Sequence, residues 1–297
     1  MPPLARNKTI LTFEEIAYIA EIFVSMGVEK IRLTGGEPLI RKDVSDLVAH
    51  LATLKPKLKD LALTTNGFDF SRHAAALRTA GLDRVTFSLD SLDRHNFAEI
   101  TGVDAIDKVL DAIEIARAFG FSPLKINAVV VRDRNDHEIV DFARFARKHD
   151  IDFRFIEFMP LDSGHEWRRE DVVSGAEIRD AINTAFPLVA VSQTRGSETA
   201  WNYRFADGAT GRIGIIAPVT EMFCGACSRI RLTADGQIRT CLFSTTEHNL
   251  RDFVRGGASP DEIVEYIEEI ALKKEPRHYI NDNEFVQPVR TMSFIGG

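Results

Sequence analysis

The chain has 297 residues, 44% hydrophobic and 27% charged, with 19 glycines and 11 prolines, so it is neither collagen-like nor disordered and has length for one large barrel-type domain or two ordinary ones. A net charge of −7 argues against sequence-independent nucleic-acid binding, and no run approaches the roughly 18 apolar residues of a membrane span. Residues 1–6 lack the charged and apolar regions of a signal peptide, which makes the cytoplasm the expected location.

Thr12 and Glu15 have the spacing of a capping box, and Phe13, Ile16, Ala17, Ala20, Phe23 and Val24 recur at helical period until Gly27. That predicts a first helix. Strands are predicted at 28–33, 61–65, 84–89, 124–131 and 151–158, with amphipathic helices between them at 43–54, 71–80, 104–118 and 135–148. Such alternation implies parallel pairing through right-handed crossovers.

Parallel strands buried on both faces read as continuous apolar runs, and these do not. Ile31 and Leu33 alternate with Lys30 and Arg32, Leu61 and Leu63 with Ala62 and Thr64, and Val85, Phe87 and Leu89 with Thr86 and Ser88. Ile126 lies between Lys125 and Asn127, and Phe153 and Phe155 flank Arg154. One greasy and one polar face predict a barrel or partial barrel with helices outside and an open, polar lumen. Lys30, Arg32, Lys125 and Arg154 facing inward call for an anionic ligand, unless some of them reach solvent from the strand ends.

After Pro160 the rhythm changes. A helix is predicted at 175–185, strand-like pieces at 188–193, 201–205 and 212–217, and a last helix at 260–272. The division expected is a barrel over 1–160 and an α+β portion over 161–297.

The signatures of P-loop, dinucleotide-binding, zinc-protease and α/β-hydrolase enzymes are missing. Thr34-Gly35-Gly36-Glu37-Pro38, Thr64-Thr65-Asn66-Gly67 and Ser88-Leu89-Asp90 instead follow three successive strands, where barrel enzymes keep their active-site loops. All three cysteines form one pattern, Cys224-x2-Cys227-x13-Cys241, with a hairpin expected near Asp235-Gly236. By spacing alone, three thiolates suit a [4Fe–4S] cluster with one open iron, and zinc suits them equally if His248 supplies a fourth ligand. Arg229 and Arg231 share one face of the strand leaving this site and could grip phosphate.

These segments, with Lys30-Ile31-Arg32-Leu33, Arg154-Phe155-Ile156-Glu157-Phe158-Met159 and the closing Gly296-Gly297, resemble the radical S-adenosylmethionine (SAM) enzymes and, within them, the GTP 3',8-cyclase family of molybdenum-cofactor biosynthesis. The resemblance covers essentially the whole chain. It implies a partial (βα)6-type barrel and a reaction in which a 5'-deoxyadenosyl radical removes hydrogen from C3' of GTP, giving (8S)-3',8-cyclo-7,8-dihydroguanosine 5'-triphosphate. By matching position, Gly35, Gly36, Glu37, Ser88 and Met159 would contact SAM. Lys30, Arg32, Thr64, Lys125, Arg154, Arg229 and Arg231 would hold GTP, and Cys224, Cys227 and Cys241 a [4Fe–4S] cluster whose open iron takes the purine. The glycine tail would enter the active site. Further partners implied are an electron donor, the next enzyme of the molybdopterin pathway and a second copy in a homodimer, with neither nucleic acid nor membrane.

The family's C-x3-C-x2-C loop for the SAM cluster has no counterpart, since no cysteine precedes Cys224. The expectation is that the natural chain extends upstream of Met1 through a further strand and that loop, which would carry the second cluster. The alternatives are a non-catalytic nucleotide-binding protein with structural zinc or iron–sulfur, and a peptide-modifying radical enzyme.

Overall fold

The computed structural model describes residues 9–295 apart from 163 and 165. Thr12 caps α1 (Phe13–Ser25) reciprocally: its hydroxyl accepts from the Glu15 N–H at 3.2 Å, and the Glu15 carboxylate accepts from the Thr12 N–H at 2.7 Å. Gly27, at φ +95°, turns the chain into β1 (Lys30–Leu33). There follow α2 (Val44–Ala52), β2 (Asp60–Thr65), α3 (Phe70–Thr79), β3 (Arg84–Ser88), α4 (Arg94–Thr101), α5 (Ile106–Ala118), β4 (Lys125–Val130), α6 (Ile139–His149) and β5 (Asp152–Glu157). The five strands pair in parallel in chain order, each joined to the next through helix, as the alternation of elements predicts. Periodicity does not find α4, because Phe97 is its one buried position.

The sheet continues past residue 160. After α7 (Gly175–Ala185) come β6 (Leu188–Ala190), β7 (Trp201–Phe205) and β8 (Arg212–Ile216). β8 returns to lie parallel beside β5, and β7 and β6 follow it antiparallel, giving the order β1-β2-β3-β4-β5-β8-β7-β6. The strand pieces expected in this region thus extend the barrel wall. Helices cover its outer face, where Phe142 of α6 packs on Phe153 at 4.8 Å between ring centroids and Phe70 of α3 meets Phe87 edge-on at 5.1 Å.

The remaining elements are β9 (Arg231–Leu232), β10 (Gln237–Arg239), β11 (His248–Asn249), α8 (Leu250–Arg255), α9 (Pro260–Leu272) and α10 (Met292–Ile295). β9, β10 and β11 form a separate antiparallel sheet with β10 central, and the expected turn at Asp235-Gly236 joins the first two. α1 serves two cores: Ala20 and Val24 pack into the barrel wall, and Ile19 and Ile22 meet Ile238, Leu250, Ile263, Ile267 and Ile270. Burying each such isoleucine contributes about 1.5–3 kcal/mol, which fixes the cysteine hairpin against the barrel's first helix.

Candidate active site

The polar phase of the strands faces the lumen. On β4 and β5, Ile126, Ala128, Val130, Phe153 and Phe155 are buried beneath the helices, while Lys125, Asn127 and Arg154 alternate with them. Thr64, Thr86, Lys125 and Asp152 are in register across β2 to β5. Ser88, Asn127, Arg154 and Gly214 make the next level, nearer the strands' carboxyl ends.

Arg32 reaches across from β1, its Nη1 donating to Thr64 Oγ1 at 3.1 Å and to Thr86 Oγ1 at 3.2 Å. Among the described residues neither Arg32 nor Arg154 has an ion-pair partner, and Lys125 has only Asp152 at 3.6 Å. Arg84, by contrast, is held bidentately by Asp60. Burial, reinforced by the charges of Arg154 and Arg84, brings Arg32 down to about 10. Burial and Arg154 together pull Lys125 to about 8, and burial also lowers Arg154. Cations gathered and partly desolvated in this way form a receptor for a multivalent anion. Lys30 and Arg32 are both exposed on β1, and Lys30 lies at its start in register with Asp60.

Two lumen features bear on a ligand. Among the described residues no group donates to the buried Asn127 Oδ1, leaving an acceptor for a ligand hydroxyl or N–H; its polar phase on β4 is the sequence signal that marks it. Gly214 makes room for Arg154: a Cβ there would stand 3.0 Å from Arg154 Cγ.

The rim loops lock one another. Glu37 Oε1 accepts from the Leu39 N–H at 3.0 Å and from Thr65 Oγ1 at 2.8 Å, and Oε2 from the Asn66 N–H at 2.7 Å, so this carboxylate ties the first rim loop to the second. Ser88 is exposed at the mouth. Asp90 accepts from the Val129 N–H at 2.8 Å, and burial raises its carboxyl to about 6. Gly36 lies under α10, the Ser293 carbonyl being 3.4 Å from where a Cβ would project, and Gly35 precedes it in the same exposed turn. Met159 packs in a third cluster with Leu161, Trp167, Cys241 and Phe243. The Gly296-Gly297 tail lies outside the described residues.

Cys224, Cys227 and Cys241 are free, half-buried thiols. A short 3-10 turn joins the first two, with the Cys227 N–H donating to the Cys224 carbonyl at 3.0 Å. Burial pushes the Cys227 thiol up, but the Arg229 backbone and the charges of Arg229, Lys274 and Arg231 outweigh it and leave the thiol below its ordinary value. Burial, with Glu275 and Cys224, raises that of Cys241. Among the described residues no three His, Cys, Asp or Glu side chains converge on a common metal position. His248 sits on β11 opposite Ile238. The donor set nonetheless has the chemistry of a cluster site, with three thiols and compensating cations around them.

Glu157, the last residue of β5, is fully buried and accepts from the N–H groups of Gly175 (2.7 Å), Val219 (2.8 Å) and Thr220 (3.0 Å). It thereby anchors the segment that leads into Cys224. The motif containing it is visible in the sequence, but its partners lie 18 positions downstream at Gly175 and 62 and 63 downstream at Val219 and Thr220.

The structure thus forms two cationic groups: Arg32, Lys125 and Arg154 in the lumen, and Arg229, Arg231 and Lys274 at the thiols. The Radical SAM superfamily model matches residues 3–146, and the model Molybdenum Cofactor Synthesis C matches residues 151–280. A protein named GTP 3',8-cyclase from Rhodopirellula baltica is 43% identical over 97% of this chain and 81% of its own length. One of the same name from Streptomyces coelicolor is 45% identical over 97% and 84%. Among solved structures, Streptococcus suis SuiB bound to precursor peptide SuiA is 20% identical, with a TM-score of 0.49 over 59% of this chain and 38% of that one. Among the described residues no helix is long and apolar enough to cross a membrane.

Proposed function

The chain belongs to the GTP 3',8-cyclase family of radical SAM enzymes, and we propose that it serves molybdenum-cofactor biosynthesis by holding GTP and SAM together in the barrel so that C3' of the ribose is bonded to C8 of guanine. The observation that carries the binding assignment is the set of lumen cations, of which Arg32 and Arg154 have no ion-pair partner among the described residues and Lys125 only Asp152 at 3.6 Å. Arg32, Lys125 and Arg154 would take the triphosphate, with Thr64 orienting Arg32. Arg229 and Arg231 would meet the other end of the nucleotide, and Lys30 would add charge from the edge. Gly35, Gly36, Glu37, Ser88 and Met159 would receive SAM at the rim, Glu37 offering its remaining lone pairs to the ammonium.

Cys224, Cys227 and Cys241 would hold a [4Fe–4S] cluster, which supplies an open iron for a donor atom of the base. Reductive cleavage of SAM needs a separate thiolate-held cluster, and all three cysteines of these 297 residues belong to the hairpin. The residues present bind, orient and shield. An electron donor, an enzyme consuming the product and a reducing cytoplasm complete this reading.

Calorimetry of GTP, ATP and GMP against anaerobically prepared protein tests it. Loss of two phosphates removes at least two charge-assisted contacts, so GMP should bind about 100-fold more weakly than GTP. Equal affinity for GMP and GTP, or no binding of either, would refute the triphosphate assignment.

A further inference from the structure

The ladder between β9 and β10 ends at the pair Arg231 and Arg239. Beyond it the two arms run apart, one through Arg229 to Cys227, the other through Thr240 to Cys241. Lys274, just past the end of α9, places its ammonium in this fork. Its Nζ donates to the Arg229 carbonyl at 2.9 Å and also to the Thr240 carbonyl, one from each arm. Next to it, the Glu275 carboxylate accepts from Thr240 Oγ1 at 2.7 Å, fixing the second arm again.

The support behind this ammonium is rigid. Ile263, Ile267 and Ile270 of α9 are buried with Ile238 of β10 and with Ile19 and Ile22 of α1, so the helix delivering Lys274 is packed against one arm of the hairpin. An ammonium has three N–H donors; two are used on the arms, and the charge remains beside the thiols.

We propose that Lys274 is a positioning residue that staples the two cysteine-bearing arms at their fork, sets the approach of Cys227 to Cys241, and offsets the negative charge of a cluster held there. The charge-offset part rests on the cluster reading above. The stapling concerns the arms themselves and holds without iron.

The chain's three cysteines all lie in this hairpin, so any iron–sulfur signal from it reports one site. In reconstituted protein, Lys274→Met should release iron to a chelator about 10–100-fold faster than wild type, the usual effect of removing support for metal ligands. The midpoint potential should move to more negative values, because a fixed positive charge favours the reduced, more negative cluster. Lys274→Arg should restore the potential.

The metal-free readout uses a Cys224→Ser background and a trivalent arsenical that must be captured by two thiols at once. Capture by Cys227 and Cys241 should slow about tenfold in Lys274→Met, as expected from losing a charge-assisted contact. Unchanged capture together with an unchanged potential would overturn the inference. Lysine-dependent capture in a chain that takes up no cluster would overturn the cluster reading and leave the staple standing. If Lys274→Met does not fold, Lys274→Arg decides by itself: charge kept and geometry changed, it should capture more slowly, and capture at the wild-type rate would overturn the inference.

Discussion

Lys125 offers a quantitative test of the anion-receptor reading, because the fold carries its charge at a cost that a ligand would relieve. Its ammonium falls from the ordinary 10.5 to about 8, chiefly through burial and then through Arg154, and its side chain is 14% exposed. At about 1.4 kcal/mol per unit the whole shift corresponds to about 3 kcal/mol, and water in an open lumen reduces this to about 1–2 kcal/mol. Below the folded value both states hold the proton, so the apo protein bears the full cost at neutral pH. Between about 8 and 10.5 the unfolded chain keeps a proton that the folded one has released, so stability should rise with pH across that window. Lys125→Met removes both the cost and the slope. Asp152 is not stranded, since Arg212 Nε stands 3.9 Å away. The variant should be more stable than wild type by about 1–2 kcal/mol at about pH 7 while binding GTP about 10–100-fold more weakly. Urea unfolding followed by circular dichroism at about pH 7 and about pH 9.5, with calorimetry for GTP, measures both. A variant less stable than wild type at neutral pH, or with wild-type GTP affinity, would refute the reasoning.

Three other outcomes are expected. Gly214→Ala places a Cβ 3.0 Å from Arg154 Cγ, so it should cost about 1–3 kcal/mol of stability or displace Arg154, and nucleotide titration should show weaker GTP binding in either case. Glu157→Gln turns an amide toward backbone donors that now meet a carboxylate; it should destabilise by about 1–3 kcal/mol, read from the urea midpoint. Cys241→Ser should abolish brown colour and iron uptake on anaerobic reconstitution while leaving triphosphate binding within about threefold, since the lumen cations lie on other strands.

The strand phases, the capping box and the cysteine spacing were legible because each is written within a few consecutive residues. Lys125, Asn127 and Arg154 face the lumen because they alternate with Ile126, Phe153 and Phe155, and no long-range knowledge was needed to see it. What escaped depends on partners distant in sequence. Gly214 is informative only once β8 is known to lie beside β5 and bring it level with Arg154. Lys274 reads as an ordinary basic residue at a helix end until α9 is seen to deliver it to the fork of a hairpin formed more than thirty positions earlier. α8 was missed for a different reason: six residues are too few to establish a period.

The lumen and the thiols are joined by the stretch between β6 and β7. Glu198 in that stretch accepts from Asn202 Nδ2 at 2.6 Å and contributes to the field around Arg154. Three positions earlier, the Arg195 guanidinium lies 5.0 Å from the Trp201 ring and 4.6 Å from that of Phe223, with Arg229 5.2 Å from the same Phe223. Phe223 immediately precedes Cys224. Phosphate alone could satisfy Arg32, Lys125 and Arg154, but it would leave Asn127 Oδ1, which no described residue donates to, without a donor. A ligand bearing a polyanion at one end and hydroxyls in the middle satisfies both, a metal-binding base at its other end would lie toward the thiols, and a nucleoside triphosphate has that order of groups.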